Sequence, residues 1–401
     1  MAREVWITGY GLLSPLGETP GAWFEALGKP ARWRHALDAE TYAPFIVHPI
    51  RDYALEKQVP KPGDQRAMGP LMQYGAYAAG LALEMAGLKG NAELLQQTHL
   101  VAASGAGERD WELDKQILAK LDTVNDRGAF LNQQLSDGLR PTLFLAQLPN
   151  LFAGNISLIH GVSGSSRTFM GEEAAGVDAL RVALRRCAAG QGDIFLVGAA
   201  FNAGRPDLHQ QYHAGGILMT GAWQPLWHRP EAGLCLGSSG AFVVIEARER
   251  AERRGAKPRA RLLAVESERT ARAPGAAAKV AEGEFARMLP QIHAGSLAVL
   301  SGASGRGSIT AEERAFLAGI SGDTGLPVRG TAAALGHSME CAFVQNLVLA
   351  VATLERGALF PPFDPAEPIE AEFDGRVRQI LVTSWGHLKG EGMALVEAVD
   401  G

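Results

Sequence analysis

The feature that most constrains this chain is an echo between its two ends. THLVAASGAGERD at 98–110 and SLAVLSGASGRGS at 296–308 each read as an apolar strand running into Ser-Gly-Ala and a polar turn. DIFLVGAAF at 193–201 and QILVTSWGH at 379–387 occupy comparable later positions. Recurrence of a strand pattern in one order points to a duplicated sheet. The break falls in the basic segment ARERAERRGAKPRARL, which gives halves of 1–250 and 251–401. Glycine-punctuated apolar runs alternate with longer helical patterns, as in α/β proteins whose central strands are buried on both faces. Strands are predicted at 4–9, 99–104, 193–199, 241–246, 297–301, 379–383 and 393–399, and helices at 74–86, 172–188 and 339–355.

Composition narrows the function classes. With 47% hydrophobic and 20% charged residues in 401, the chain is an ordinary globular sequence. A net charge of −5 offers no general attraction to nucleic acid or to an anionic membrane. The N-terminal MAREVWITGYG turns to glycine too early for a secretory segment, and the apolar runs are too short to span a bilayer, so a cytoplasmic protein without a membrane span is expected. Cys187, Cys235 and Cys341 are far apart and show no CxxC or Cys/His spacing. Neither a disulfide framework nor a metal site is expected, and no cofactor.

The segment GVSGSSRTFMGEEAAGVDALRVALRRCAAGQGDIFLVGAA at 161–200 resembles the nucleophile region of the β-ketoacyl-carrier-protein synthases of the thiolase superfamily. Other pieces resemble the same family in the same order. They are REVWITGYGLLSPLGETPGAWFEAL, MQYGAYAAGLALEMAGL, LPNLFAGNISLIHG, RPEAGLCLGSSGAFVVIEARERAERRGAK and ALFPPFDP. The resemblance implies an α/β chain with the thiolase-like duplicated α/β/α/β/α layered fold. It also implies an interface and tunnel insertion at about 109–150, and dimerisation through the strand at 163–169.

Carried over residue by residue, the family pattern loses its chemistry. The Thr-Ala-Cys nucleophile aligns with Thr168-Phe169-Met170, and a thioether cannot form a thioester. The helix that follows carries Val177, Leu180, Leu184 and Cys187 on one face. Glu172 and Glu173 occupy its first turn, where they favour the helix dipole and would oppose a thiolate. The first histidine becomes Ser301, with a downstream glutamate kept as Glu312; the lysine becomes Ala332, while the second histidine is kept as His337. A lone histidine beside an apolar helix reads as structural or as a carbonyl-polarising group. The gating position of the late glycine turn is His387 or Leu388. Cys341, four residues after His337, could face it on one helix or simply be packed. Ser165, Ser166 and Thr168 have no base suggested by sequence, and Cys235 reads as packing.

Subunits of this family that keep the fold and lose the cysteine are chain-length factors. The resemblance therefore implies a non-catalytic partner of an active ketosynthase in fatty-acid-like, polyketide or aryl polyene biosynthesis, with acyl carrier protein reached through that partner. Trp111, Leu118, Leu121, Phe130, Leu131, Phe144, Leu145, Phe169 and Met170 are the candidates for the tunnel wall or interface; the bulky residues of 111–145 read equally well as core. Two other readings remain open: a cryptic acyltransferase or hydrolase using His337 with Cys341 or a serine, and a homodimeric acyl-binding scaffold.

Overall fold

A computed structural model describes residues 3–105, 107–139, 147–293, 295–322 and 326–399. Ten strands are joined in the order β10-β9-β11-β12-β8-β1-β7-β5-β3-β4. Their ranges are β1 Val5–Leu13, β3 Thr98–Ala103, β4 Ser166–Phe169, β5 Ile194–Phe201, β7 Ser239–Ala247, β8 Ala260–Glu268, β9 Leu297–Ser301, β10 Val328–Gly330, β11 Gln379–Trp385 and β12 Glu391–Glu397. A separate pair is formed by β2, Val47–His48, and β6, Leu236–Gly237. The ten-stranded order reads as two leaves of the same pattern, β1-β7-β5-β3-β4 and β8-β12-β11-β9-β10. The leaves meet only where Trp6 faces Arg261 and Ile7 faces Ala260.

The seven strands expected from sequence are all present, 297–301 at the expected bounds and the others extended or shifted by a few residues at their ends. β8 and β10 were not foreseen. β10 is only three residues long, and β8 mixes half-exposed charged residues into its run.

Strand periodicity explains the layers. In β5, Phe195, Val197, Ala199 and Phe201 point into one apolar cluster while Ile194, Leu196 and Ala200 point into another, the two-residue alternation of a pleated strand. β1 changes phase at a bulge between Ile7 and Gly9, so Ile7 and Tyr10 both face the inner cluster. Gly9 and Gly11 face outward onto the helix Pro70–Met85. A Cβ there would lie 2.4 Å from the Ala82 carbonyl oxygen or 2.3 Å from that of Ala78. Glycine on the strand and alanine on the helix let the two backbones touch.

Two buried helices form the central layer. Glu173–Ala188 packs against β3, β5 and β8, Ala342–Arg356 packs against β7 and β11, and the two helices pack on each other. Outer helices cover the far faces: Pro70–Met85 and Asn150–His160 on the first leaf, Ala276–Met288 and Gly307–Ser321 on the second. The result is the thiolase-like α/β/α/β/α arrangement.

The 109–150 insertion contains the helices Trp111–Leu121 and Arg127–Gly138, each started by an aspartate side chain, Asp110 or Asp126, that accepts a backbone N–H. Among its described residues, Leu113 and Ile117 are buried. Leu118 is 63% exposed, and Trp111, Leu121, Phe130 and Leu131 are half-buried. Leu118 is therefore not a core residue, and the other four are only partly covered. Phe144 and Leu145 lie outside the described residues. No helix among the described residues is long and apolar enough to cross a membrane.

Candidate functional site

The first residue of the central helix Glu173–Ala188 defines the site. The chain leaves β4, passes Gly171 at φ 129°, and turns at Glu172 with φ 56°, a conformation uncommon for a residue with a side chain. Glu173 is thereby turned inward and is 1% exposed. Its Oε1 accepts three hydrogen bonds: His337 Nε2 at 2.7 Å, His387 Nδ1 at 2.9 Å and the His387 backbone N–H at 3.1 Å. His387 is held in place through its turn. Gly386 N–H bonds Gly390 O at 2.8 Å, Arg306 donates to the His387 carbonyl at 2.5 Å, and Arg272 donates to the Gly386 carbonyl. The Tyr212 ring meets the His387 imidazole edge-on at 5.6 Å.

Burial alone would raise the Glu173 carboxyl, but the His387 charge and the hydrogen bonds from His337 and His387 hold it well below the ordinary carboxylate range. Burial alone would lower His387; the Glu173 carboxylate, with a smaller push from Glu172, raises it instead. Glu172 is raised by burial and by the neighbouring Glu173 charge. Glu340, fully buried close by, is pushed up to about 7, mainly by burial and then by Glu173 and Glu172. The centre of the site is therefore an imidazolium–carboxylate pair with further carboxyls around it.

A second network adjoins it. Ser301 Oγ donates to Glu313 Oε1 at 2.8 Å, and Thr383 Oγ1 donates to the same oxygen at 2.6 Å. Burial pushes Glu313 up to about 7. Glu312, the glutamate expected from sequence, instead accepts the Ala278 N–H at 2.8 Å, and Glu313 is the carboxylate that meets Ser301. Between the networks lies a void of about 10 Å³ lined by residues including Ser301, Ala332 and His337, room for about one water.

Several sequence expectations are corrected. Met170, a candidate for the tunnel wall or interface, is 57% exposed on the single chain; Glu173 is the residue that meets the histidines. Of the two gating candidates, His387 enters the site while Leu388 is 51% exposed. Cys341 and His337 do not share a helix face, because the helix begins at Ala342 and Met339 has φ 42°. The Cys341 thiol donates to the Ala199 carbonyl at 3.3 Å and burial pushes it up to about 12. Cys187 and Cys235 are also buried. Ser165 does have a neighbouring imidazole: its Oγ lies 2.8 Å from His99 Nδ1, which also accepts the Ser165 N–H. Arg186 donates to the same hydroxyl at 3.3 Å. Phe169 is half-buried against the inner core. Ser301 and Ala332 do line the same interior as His337.

The two leaves, the central helices and a helix-heading side chain gripped by a late-turn N–H define a condensing-enzyme fold. The chain belongs to the β-ketoacyl synthase family: residues 2–251 match its description "Beta-ketoacyl synthase, N-terminal domain". It is 26% identical over 264 residues to the 3-oxoacyl-[acyl-carrier-protein] synthase 2 of Vibrio cholerae serotype O1, a match covering 64% of this chain and 60% of that protein. The chain thus spans about 60% of the length of this curated relative. Over the full length of both chains it superposes on the ishigamide ketosynthase/chain length factor with a TM-score of 0.80 at 19% identity. It also superposes, with a TM-score of 0.75 at 17% identity, on a structure of a type II polyketide acyl-carrier protein in complex with its ketosynthase bound to the hexaketide. At these identities the likeness is one of fold.

Proposed function

We propose that this chain is a non-catalytic, chain-length-factor-like subunit of a heterodimeric β-ketoacyl-ACP synthase, acting in cytoplasmic fatty-acid-like, polyketide or aryl polyene assembly. The observation that carries this reading is Glu173. It heads the helix where a condensing enzyme presents its thiolate, and it accepts hydrogen bonds from the retained His337 imidazole, from the His387 imidazole and from the late-turn N–H. A carboxylate at that point already fills the place of the anion those donors would stabilise. It offers no thiol for acyl transfer. Ser301 and Ala332 add no cation for decarboxylation, and the 10 Å³ void leaves no room for a thioester.

The exposed surface supports a partner. β4 ends the sheet with an open edge. Six of the eight large apolar side chains exposed among the described residues, Leu118, Leu135, Leu139, Leu148, Leu158 and Met170, fall between residues 118 and 170, the stretch of chain that contains β4. Such a concentration marks an interaction surface. In this reading the active ketosynthase covers it and the acyl carrier protein is engaged through that partner; the chain divides at about residue 250 into two ketosynthase-like halves.

The test is native mass spectrometry of the chain alone and co-expressed with the ketosynthase encoded nearest to it. A 1:1 complex formed only on co-expression is expected. A stable homodimer indifferent to the synthase would replace this reading with that of an acyl-binding scaffold.

A further inference from the structure

We propose that the open edge of β4 is a charge-selective docking strip: it takes an edge strand of the active ketosynthase that sets a carboxylate against Arg167, and it repels a second copy of this chain. The inference rests on the proposed pairing and adds the rule by which the partner is chosen.

The bonds β4 already makes decide what it offers. It runs parallel to β3, and the Ser165 and Phe169 carbonyls accept the Leu100 and Ser104 N–H groups at 2.9 and 3.1 Å. Backbone groups alternate in direction along a strand, so those of Ser166 and Thr168 face outward at the end of the sheet. Such an edge is a template for another strand. Side chains alternate too. Phe169 packs into the inner core, and Arg167 and Ser165 share its face.

That face is positive. Arg186, from the last turn of Glu173–Ala188, lies 5.1 Å from the Phe195 ring centre and donates to the Ser165 hydroxyl. Burial, and then the neighbouring Arg167 charge, push the Arg186 guanidinium down. Arg167 is exposed. Among the described residues neither arginine has a carboxylate partner. On the outer side the edge is apolar: Leu158, 76% exposed, stands on the helix Asn150–His160 that packs on β4.

A second copy cannot match this strip. A two-fold joining two β4 edges antiparallel is isologous, and opposed side chains share a face, so the axis passes through a single residue. Centred on Arg167, it sets Arg167 against its own equivalent at about 4.5 Å between Cα atoms. Centred on Thr168, it sets Arg167 against Phe169 of the second copy. In both registers four guanidiniums gather on one face, and like charges across a sheet are destabilising. Residues 161–170 hold no Asp or Glu to stand against them. A partner strand with a carboxylate there gives Arg167 a charge-assisted pair in the same geometry and removes the cost of covering an unpaired cation.

The test compares wild type, Arg167→Glu and Arg167→Lys, each alone and with the ketosynthase encoded nearest, by native mass spectrometry and sedimentation at low and high salt. All three should melt together, because Arg167 is an exposed position. With the synthase, Arg167→Glu should weaken the complex at least about tenfold. Arg167→Lys should keep most of it, and salt should weaken the wild-type complex. Alone, Arg167→Glu should form a dimer that wild type does not, because the new carboxylate would face Arg186 of the second copy. Wild type that ignores the synthase would refute the pairing and this inference with it. A wild-type complex that Arg167→Glu matches in strength and salt response, or wild type that dimerises alone as strongly as Arg167→Glu, would overturn the charge rule while the pairing stands.

Discussion

Replacing Glu173 by glutamine should destabilise the fold through the charge it leaves behind. The variant keeps the shape of the side chain and one acceptor oxygen, but His387, fully buried, loses its counter-ion. Removing one member of a buried pair typically costs about 3–5 kcal/mol, because the survivor remains desolvated. Unfolding entropy of about 2.1 cal/mol/K per residue gives roughly 0.84 kcal/mol/K over 401 residues. The expected drop in melting temperature is therefore about 4–6 °C, read by calorimetry. A Glu173→Gln/His387→Gln double variant should lose less than the sum of the single losses, since both charges leave together. If Glu173→Gln melts within about 1 °C of wild type, or the two losses simply add, the two groups are not an ion pair and the account of the site is wrong.

Glu313→Gln preserves the oxygen that accepts from Ser301 and Thr383 while removing a carboxyl that burial has pushed up to about 7. A group with a raised folded pKa binds more protons folded than unfolded, so wild-type stability should fall between about pH 4.5 and 7. Denaturant titrations should show that fall flattened in the variant, and an unchanged pH profile would refute the assignment. Gly11→Ala would place a Cβ 2.3 Å from the Ala78 carbonyl oxygen and should cost at least about 1–3 kcal/mol by the same titration. Glu173→Cys should be alkylated faster than an ordinary thiol, because two imidazoles and a helix N-terminus would lower its pKa below about 8.5. Met170→Cys, on the surface, should react at the ordinary rate and restore no condensation in a malonyl-ACP assay. Leu158→Glu, 76% exposed, should change monomer stability by less than about 0.5 kcal/mol yet weaken the complex seen by native mass spectrometry.

The sheet was legible because its strands are fully apolar runs closed by glycine, a signal that survives low identity. His337 and His387 were readable from the turns around them. Glu173 was not, because the family pattern places the nucleophile position at Met170 and a Glu-Glu pair in a first turn looks like a helix-dipole feature. The corrective signal lies in the same helix. Stepping back from Leu184, Leu180 and Val177 by four more residues reaches Glu173, so a carboxylate occupies the apolar stripe. Gly176, whose Cβ would lie 2.4 Å from the Glu340 carbonyl oxygen, likewise marks the first turn as deeply packed. Glu173 and His387 are 214 positions apart in sequence, and no local spacing could announce their meeting. The Ser165–His99 contact was hidden for the same reason, joining β3 to the residue before β4 across 66 positions of sequence.

The narrow join between β1 and β8 also governs the shape of the sheet. Neighbouring strands rotate by roughly 20–25°, so ten strands in unbroken register would wind their outermost members past a half-turn. With only Trp6–Arg261 and Ile7–Ala260 across the join, each leaf carries four steps of its own, about 80–100°. The two curls can therefore close over one shared pair of helices from opposite sides, giving Glu173 and His337 a common enclosure built from both repeats.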